Sequence, residues 1–166
     1  MRGQRMIFYL KALGAGAILL AALILGRGYT AYTRRVGEEY SAILDLLAHM
    51  KEQLDCYLTA GAQMLSGFSS ERLSELGFFE VEGDALTRFT KIKGALGIDR
   101  ETVDALERFF REFGSGYREV ESERLAAISS LVRRRGEGYC AEAPREAKLV
   151  RSLLVAGALG LVILFI

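Results

Sequence analysis

Residues 32–58 read YTRRVGEEYSAILDLLAHMKEQLDCYL and form the best-defined amphipathic pattern in the chain. Apolar and aromatic side chains recur at alternating intervals of four and three residues, which is the period of one face of an α-helix. At 1.5 Å per residue the helix is about 40 Å long. Its apolar face, called the seam below, is typical of an antiparallel bundle or a coiled coil. The seam consists of Val36, Tyr40, Ile43, Leu47, Met50, Leu54 and Tyr57.

The chain that follows the seam is predicted to be helical throughout. Side chains that accept hydrogen bonds at helix N-termini and glycines that end helices divide it into short segments. These predicted helices cover residues 60–66, 71–76, 84–96, 100–113 and 118–135. No run of alternating apolar residues supports a strand. The predicted fold class is therefore all-α, with a helical bundle of about five to six helices.

Both ends of the chain are apolar. Residues 12–26 and 152–166 carry no charge. The N-terminal stretch, residues 6–26, is interrupted only by Lys11 and is long enough to cross a bilayer. A cleaved signal peptide would share its basic start, but no Ala-x-Ala site follows, so an uncleaved anchor is favoured.

The C-terminal stretch, residues 149–166, is about 27 Å long as a helix. A buried core helix is the alternative to a membrane span, but this stretch is apolar on every face, which suits lipid better. Gly157 and Gly160 offer a small-residue patch for packing against another membrane helix. The predicted organisation is thus a transmembrane helix (6–26), a soluble helical domain (27–148) and a second transmembrane helix (149–166).

Several glycines and one proline interrupt the helical patterns. The seam helix either continues the first span or is separated from it at Gly26 and Gly28. Gly136, Gly138 and Pro144 predict a loosened or kinked stretch before the last span.

The distribution of positive charge bears on orientation. Two spans put both termini on one side of the membrane and the domain on the other. Counting Lys and Arg near each span favours a cytoplasmic domain, although the basic N-terminal tail favours the opposite orientation. The run Arg133, Arg134 and Arg135 either forms a solvated helix face or contacts anionic lipid.

The composition argues against several classes of function. A net charge of +1 with interleaved acids and bases is not typical of a nucleic-acid-binding protein. Cys56 and Cys140 are far apart, so a metal site is not expected. They are predicted to be two free thiols in a reducing compartment, with one long-range disulfide as the alternative. His49 and the Glu38–Glu39 pair are predicted to be solvated. Without a phosphate-binding loop or a catalytic constellation, we expect no cofactor, no small-molecule substrate and no enzymatic activity.

Three stretches of the sequence carry a family resemblance. Residues 28–58 combine a glycine after the first span with Arg35 and a Leu-rich helix. Residues 110–123 read FREFGSGYREVESE, and in residues 147–166 a Lys–Leu pair leads into a Gly-rich apolar end. Together they resemble the stage III sporulation protein AB family of endospore-forming bacteria, although Ser115 stands where that family usually has Leu.

The resemblance implies a function. The family belongs to a channel complex that joins the mother cell and the forespore, and its domain is similar to a cytoplasmic domain of the type II secretion F protein. It implies a multi-pass protein of the mother-cell membrane facing the forespore, with its domain in the mother-cell cytoplasm. The implied partners are a secretion-type ATPase and the other membrane subunits of the channel. The expected role is a non-enzymatic platform or scaffold, and the alternative is a stand-alone two-span regulator or sensor that dimerises through the seam.

Overall fold

The computed structural model describes the backbone of residues 2–57 and 64–165, and the side chains of residues 11, 13–55 and 64–164. This part of the chain contains five α-helices and no strand, which confirms the all-α class. The helices are α1 (Arg2–Glu52), α2 (Glu71–Glu75), α3 (Ala85–Ile92), α4 (Arg100–Glu112) and α5 (Arg118–Phe165). A π-helical turn, Gln53–Tyr57, extends α1. Most of the helix predicted over residues 60–66 lies outside the described residues.

The two long helices run through the interruptions that the sequence suggested. Helix α1 contains both Gly26 and Gly28, so it joins the first apolar stretch to the seam helix. Helix α5 contains Pro144 and joins the predicted helix 118–135 to the C-terminal apolar stretch. Of the two alternatives at Gly26 and Gly28, the continuous helix is therefore confirmed, and α5 also continues through Gly136, Gly138 and Pro144. A glycine costs a helix only about 1 kcal/mol and a proline removes one backbone hydrogen bond, which a helix of this length tolerates.

The chain divides into two compact units, which are described separately. The inner unit is Arg35–Cys140. The outer unit consists of the stretch that ends at Arg34 and the stretch that begins at Ala141. These limits lie inside the predicted domain 27–148, because that prediction placed its boundaries where the uncharged runs end.

The inner unit has one hydrophobic core, to which all five helices contribute. Its best-buried side chains include Leu47 from α1, Leu73 from α2, Leu106 from α4 and Leu125 from α5, each with no exposed surface. Phe89 of α3 completes this set at 1% exposure. Helices as short as α2 and α3 are unstable alone in water, so their stability comes from this burial.

Side chains cap the three short helices at their N-termini. Asp84 accepts a hydrogen bond of 2.9 Å from the backbone N–H of Thr87. Ser70 accepts one from the backbone N–H of Leu73. Each cap satisfies a backbone donor that the helix itself leaves without a partner.

The outer unit buries small residues and exposes large ones. Its buried side chains are small, and a buried glycine lies among them: Ala22, Gly26, Ala143, Ala147 and Ala158. By contrast, Leu13 and Ile163 are each 77% exposed, and Leu153 is 71% exposed. Both α1 and α5 are long and apolar enough to cross a membrane, and only 11% of the most apolar window in each is buried. A core helix of a soluble protein would bury most of that surface.

Candidate functional site

The seam of α1 lies in the core of the inner unit. The six seam side chains that the structure describes are at most 8% exposed: Val36, Tyr40, Ile43, Leu47, Met50 and Leu54. The side chain of Tyr57 lies outside the described residues. Because residues of α2 to α5 share the same core cluster, the seam is covered within the chain. A second copy could reach it only after the inner unit had opened.

Glu39 stands beside the seam and is buried, with 2% of its surface exposed. The prediction that the Glu38–Glu39 pair is solvated is therefore wrong for Glu39. Its Oε1 pairs with the guanidinium of Arg72 on α2, and its Oε2 accepts a 2.7 Å hydrogen bond from the backbone N–H of Gly97. Burial lowers the pKa of Arg72, but hydrogen bonds to Glu39 and Glu75 outweigh that effect and raise the pKa overall. One carboxylate thus ties α1 to α2 and to the loop before α4.

Tyr40, the next residue, makes a second polar link from α1. Its hydroxyl donates a 2.6 Å hydrogen bond to Oδ2 of Asp99. Asp99 also caps α4, since its Oδ1 accepts from the backbone N–H of Thr102 at 2.9 Å and its Oδ2 accepts from the Thr102 hydroxyl at 2.6 Å. Glu39 and Tyr40 therefore hold the same short segment, residues 97–99.

The Tyr40–Asp99 contact changes the pKa of both groups. Burial, together with the hydrogen bond to Asp99, raises the pKa of Tyr40 from 10.0 to about 12. Burial raises the pKa of Asp99, but the hydrogen bonds from Thr102 and Tyr40 outweigh that effect and hold the pKa below its ordinary value. The pair is thus stabilised as a neutral phenol donating to an ionised carboxylate.

Gly136 of α5 lies against the other side of Tyr40. A Cβ atom added at Gly136 would lie 3.1 Å from the Cβ of Tyr40 and 3.2 Å from its Cγ. Such a distance is shorter than ordinary van der Waals contact. The absence of a side chain at Gly136 therefore lets α5 approach α1 closely at this point, which gives a packing reason for one of the glycines in the stretch predicted to be loosened or kinked.

The other residues predicted to take part in function lie on exposed surfaces. Arg133, Arg134 and Arg135 are all exposed, and Arg135 pairs with Glu101 of α4. Gly157 and Gly160 are exposed, and no described atom lies within 4 Å of a Cβ added at either. They are not part of a packed contact within the described chain, so their predicted contact with another membrane helix stays a prediction.

His49 differs from its prediction as a solvated residue. It is half-buried, and its ring lies 5.3 Å from that of Phe68, centroid to centroid. Its Nε2 is buried and has no hydrogen-bond partner among the described residues. Cys140 is free and exposed, whereas the side chain of Cys56 lies outside the described residues.

A groove of about 350 Å³ opens in the inner unit. Its lining is largely apolar: Met50, Met64, Leu65, Asp84, Ala85, Leu86, Phe110, Phe113 and Gly114. Its one carboxylate, Asp84, already caps α3. Within the described part of the chain, no group of three or more His, Cys, Asp or Glu side chains is placed to hold a metal ion.

The comparisons with known proteins return no relative. No protein-family model matches the sequence, and searches of the curated proteins and of the solved structures give no significant match.

Proposed function

We propose that this protein is a non-enzymatic scaffold subunit of a secretion-like membrane channel required for endospore formation. The observation that carries the proposal is the order of the chain, in which one apolar helical stretch precedes a helical inner unit and another follows it. Their large apolar side chains are exposed, which supports their insertion into a bilayer. The resemblance of residues 28–58, 110–123 and 147–166 to the stage III sporulation protein AB family supplies the specific role.

The polar contacts of the inner unit favour a structural role over a catalytic one. Glu39 pairs with Arg72 and accepts from Gly97, and Tyr40 donates to Asp99, so these contacts join helices within the inner unit. Catalytic groups instead need polar atoms directed at a substrate. As a scaffold, the protein would hold other membrane subunits and a secretion-type ATPase in the mother-cell membrane facing the forespore.

The alternative is a stand-alone two-span regulator that dimerises through the seam. The burial of Leu47 and Met50, at 0% and 1% exposure, disfavours it because a seam dimer would have to displace the core of the inner unit. Measuring the mass of the purified protein in detergent separates the two proposals. A dimer that is lost on substitution of seam residues, while the helix content stays unchanged, would favour the regulator.

Genetics tests the scaffold role directly. We expect deletion of the gene in its host to abolish heat-resistant spores without slowing vegetative growth, and the intact gene to restore them. We also expect a gene for a secretion-type ATPase beside it, within a run of genes for small membrane proteins. Normal sporulation of the deletion strain would refute the proposal.

The proposed sidedness is testable through Cys140, which is exposed and free. In a Cys56→Ser variant, only Cys140 can react with a membrane-impermeant maleimide. A cytoplasmic inner unit predicts no labelling in intact cells and full labelling after permeabilisation. Labelling of intact cells would place the domain outside and exclude a cytoplasmic ATPase as its partner.

A further inference from the structure

The two apolar stretches of the outer unit end at the same level. The first ends at Gly26 and the second begins at Ser152, directly after Arg151. A Cβ atom added at Gly26 would lie 3.3 Å from Cγ of Arg151. The last residue of one apolar stretch therefore lies beside the residue that precedes the other, and a single bilayer surface can meet both helices there.

Basic side chains follow immediately beyond this level on both helices. Arg27 continues α1, whereas Arg151, Lys148 and Arg145 precede the apolar stretch of α5, and all four are exposed. Along α5, Lys148 lies about 4.5 Å and Arg145 about 9 Å from Arg151. The headgroup layer of a leaflet is about 5–7 Å thick, so the backbone of Arg151 and Lys148 falls within it, whereas Arg145 lies about 2–4 Å beyond it and reaches it with its long side chain. We call these four residues the cationic collar.

The collar has no counter-ion in the described part of the chain. None of its four members takes part in an ion pair there, in contrast to Arg135, which is held by Glu101. The stem of Arg151 packs on Gly26 while the residue stays exposed, so its guanidinium can extend into the headgroup layer. Guanidinium groups bind phosphate oxygens through two parallel hydrogen bonds, and an ammonium group binds them as a point charge.

We propose that the cationic collar binds the phosphate headgroups of anionic glycerophospholipids in the leaflet at whose surface Gly26 and Arg151 meet. The inference rests on the proposed function, which requires α1 and α5 to be inserted in a membrane. It goes further by naming the class of lipid that is bound and the residues that bind it. It differs from the lipid contact predicted for residues 133–135, which belong to the inner unit.

Lipid enrichment around the full-length protein tests this proposal. The protein is reconstituted into vesicles of equal parts phosphatidylcholine and phosphatidylglycerol, which are floated on a density gradient and then cut into discs with a styrene–maleic acid copolymer. Mass spectrometry measures the phosphatidylglycerol fraction of protein-containing and protein-free discs. We expect a roughly twofold enrichment around the protein that decreases as salt is added.

Three variants separate the collar from general positive charge. An Arg27→Gln/Lys148→Gln/Arg151→Gln variant is expected to lose the enrichment, and an Arg133→Gln/Arg134→Gln variant to keep it. A charge-conserving Arg27→Lys/Arg151→Lys variant should also keep it, and far-ultraviolet circular dichroism of the triple Gln variant should match the wild type, which excludes failed folding as the cause of its loss.

Each opposing outcome is informative. If the protein floats with the vesicles but shows no enrichment of phosphatidylglycerol, the collar is overturned while membrane insertion stands. The same holds if enrichment is lost only in the Arg133→Gln/Arg134→Gln variant. Protein that does not float overturns both the collar and the insertion on which the proposed function depends.

Discussion

Two glycines of α5, two residues apart, are expected to respond in opposite directions to the same substitution. A Cβ atom added at Gly136 would meet Tyr40 at 3.1–3.3 Å, whereas one added at Gly138 would meet no described atom within 4 Å. Tyr40 cannot easily move away, because its side chain is buried and its hydroxyl is held by Asp99. Overpacking of this kind costs about 1–3 kcal/mol.

The magnitude follows from two opposing effects. Replacing a glycine by alanine inside a helix stabilises it by about 1 kcal/mol. Gly138→Ala should therefore raise the free energy of unfolding by about 1 kcal/mol. Gly136→Ala gains the same helical preference, but the overpacking against Tyr40 costs about 1–3 kcal/mol. It should therefore lower the free energy of unfolding by about 0–2 kcal/mol.

Thermal unfolding of the full-length protein in mild detergent, followed by far-ultraviolet circular dichroism, measures both effects. For a unit of this size 1 kcal/mol corresponds to about 4 °C in Tm. We expect Gly138→Ala to unfold about 4 °C above the wild type, and Gly136→Ala at the wild-type Tm or up to about 8 °C below it. If Gly136→Ala were stabilised as much as Gly138→Ala, the close packing of Tyr40 against α5 would be refuted.

Three further substitutions probe the inner unit. Glu39→Leu leaves Arg72 without its buried acceptor and should lower the free energy of unfolding, measured in urea, by about 2–3 kcal/mol. A change under about 0.5 kcal/mol would show that the Glu39–Arg72 pair does not stabilise the inner unit. The raised pKa of Tyr40 stabilises the fold fully below pH 10, and this stabilisation is lost as the pH rises from 10.0 to about 12. Tyr40→Phe should therefore make Tm less sensitive to pH over that interval. If Tm depended on pH identically in the wild type and in Tyr40→Phe, the raised pKa of Tyr40 would be contradicted. Leu47→Asp puts an unpaired charge in the core and should cost about 4 kcal/mol or more in urea unfolding, whereas Asp45→Asn on the exposed side of α1 should have almost no effect.

Helical periodicity made much of the fold predictable. The 4–3 spacing of the seam and the acceptors at Ser70 and Asp99 are local features, and local features determine where helices form and begin. The same reasoning left open whether α1 continues past Gly26 and Gly28, because a local pattern does not show how far the neighbouring hydrogen bonds of a long helix keep it continuous.

The polar contacts that join the helices were harder to predict. The burial of Glu39 was partly predictable, because Glu39 lies three residues after Val36 and four before Ile43. This spacing puts it on the edge of the seam face. Its partners were not, since Arg72 and Gly97 are distant in sequence and meet it only in the folded unit. The same holds for Tyr40 with Asp99, where a contact across 59 residues leaves no local signal.

The distribution of the core along the chain has a consequence for synthesis. The seam leaves the ribosome before the residues that cover it, which lie as late in the chain as Leu125 and Val132 of α5. Roughly 80 residues separate Met50 from Val132, and at about 5–20 residues per second their translation takes about 4–16 s. Throughout this interval a row of large apolar side chains has no permanent cover. The nascent chain therefore needs a chaperone, or prompt delivery to the membrane by its N-terminal helix, during the period in which it is most prone to aggregate.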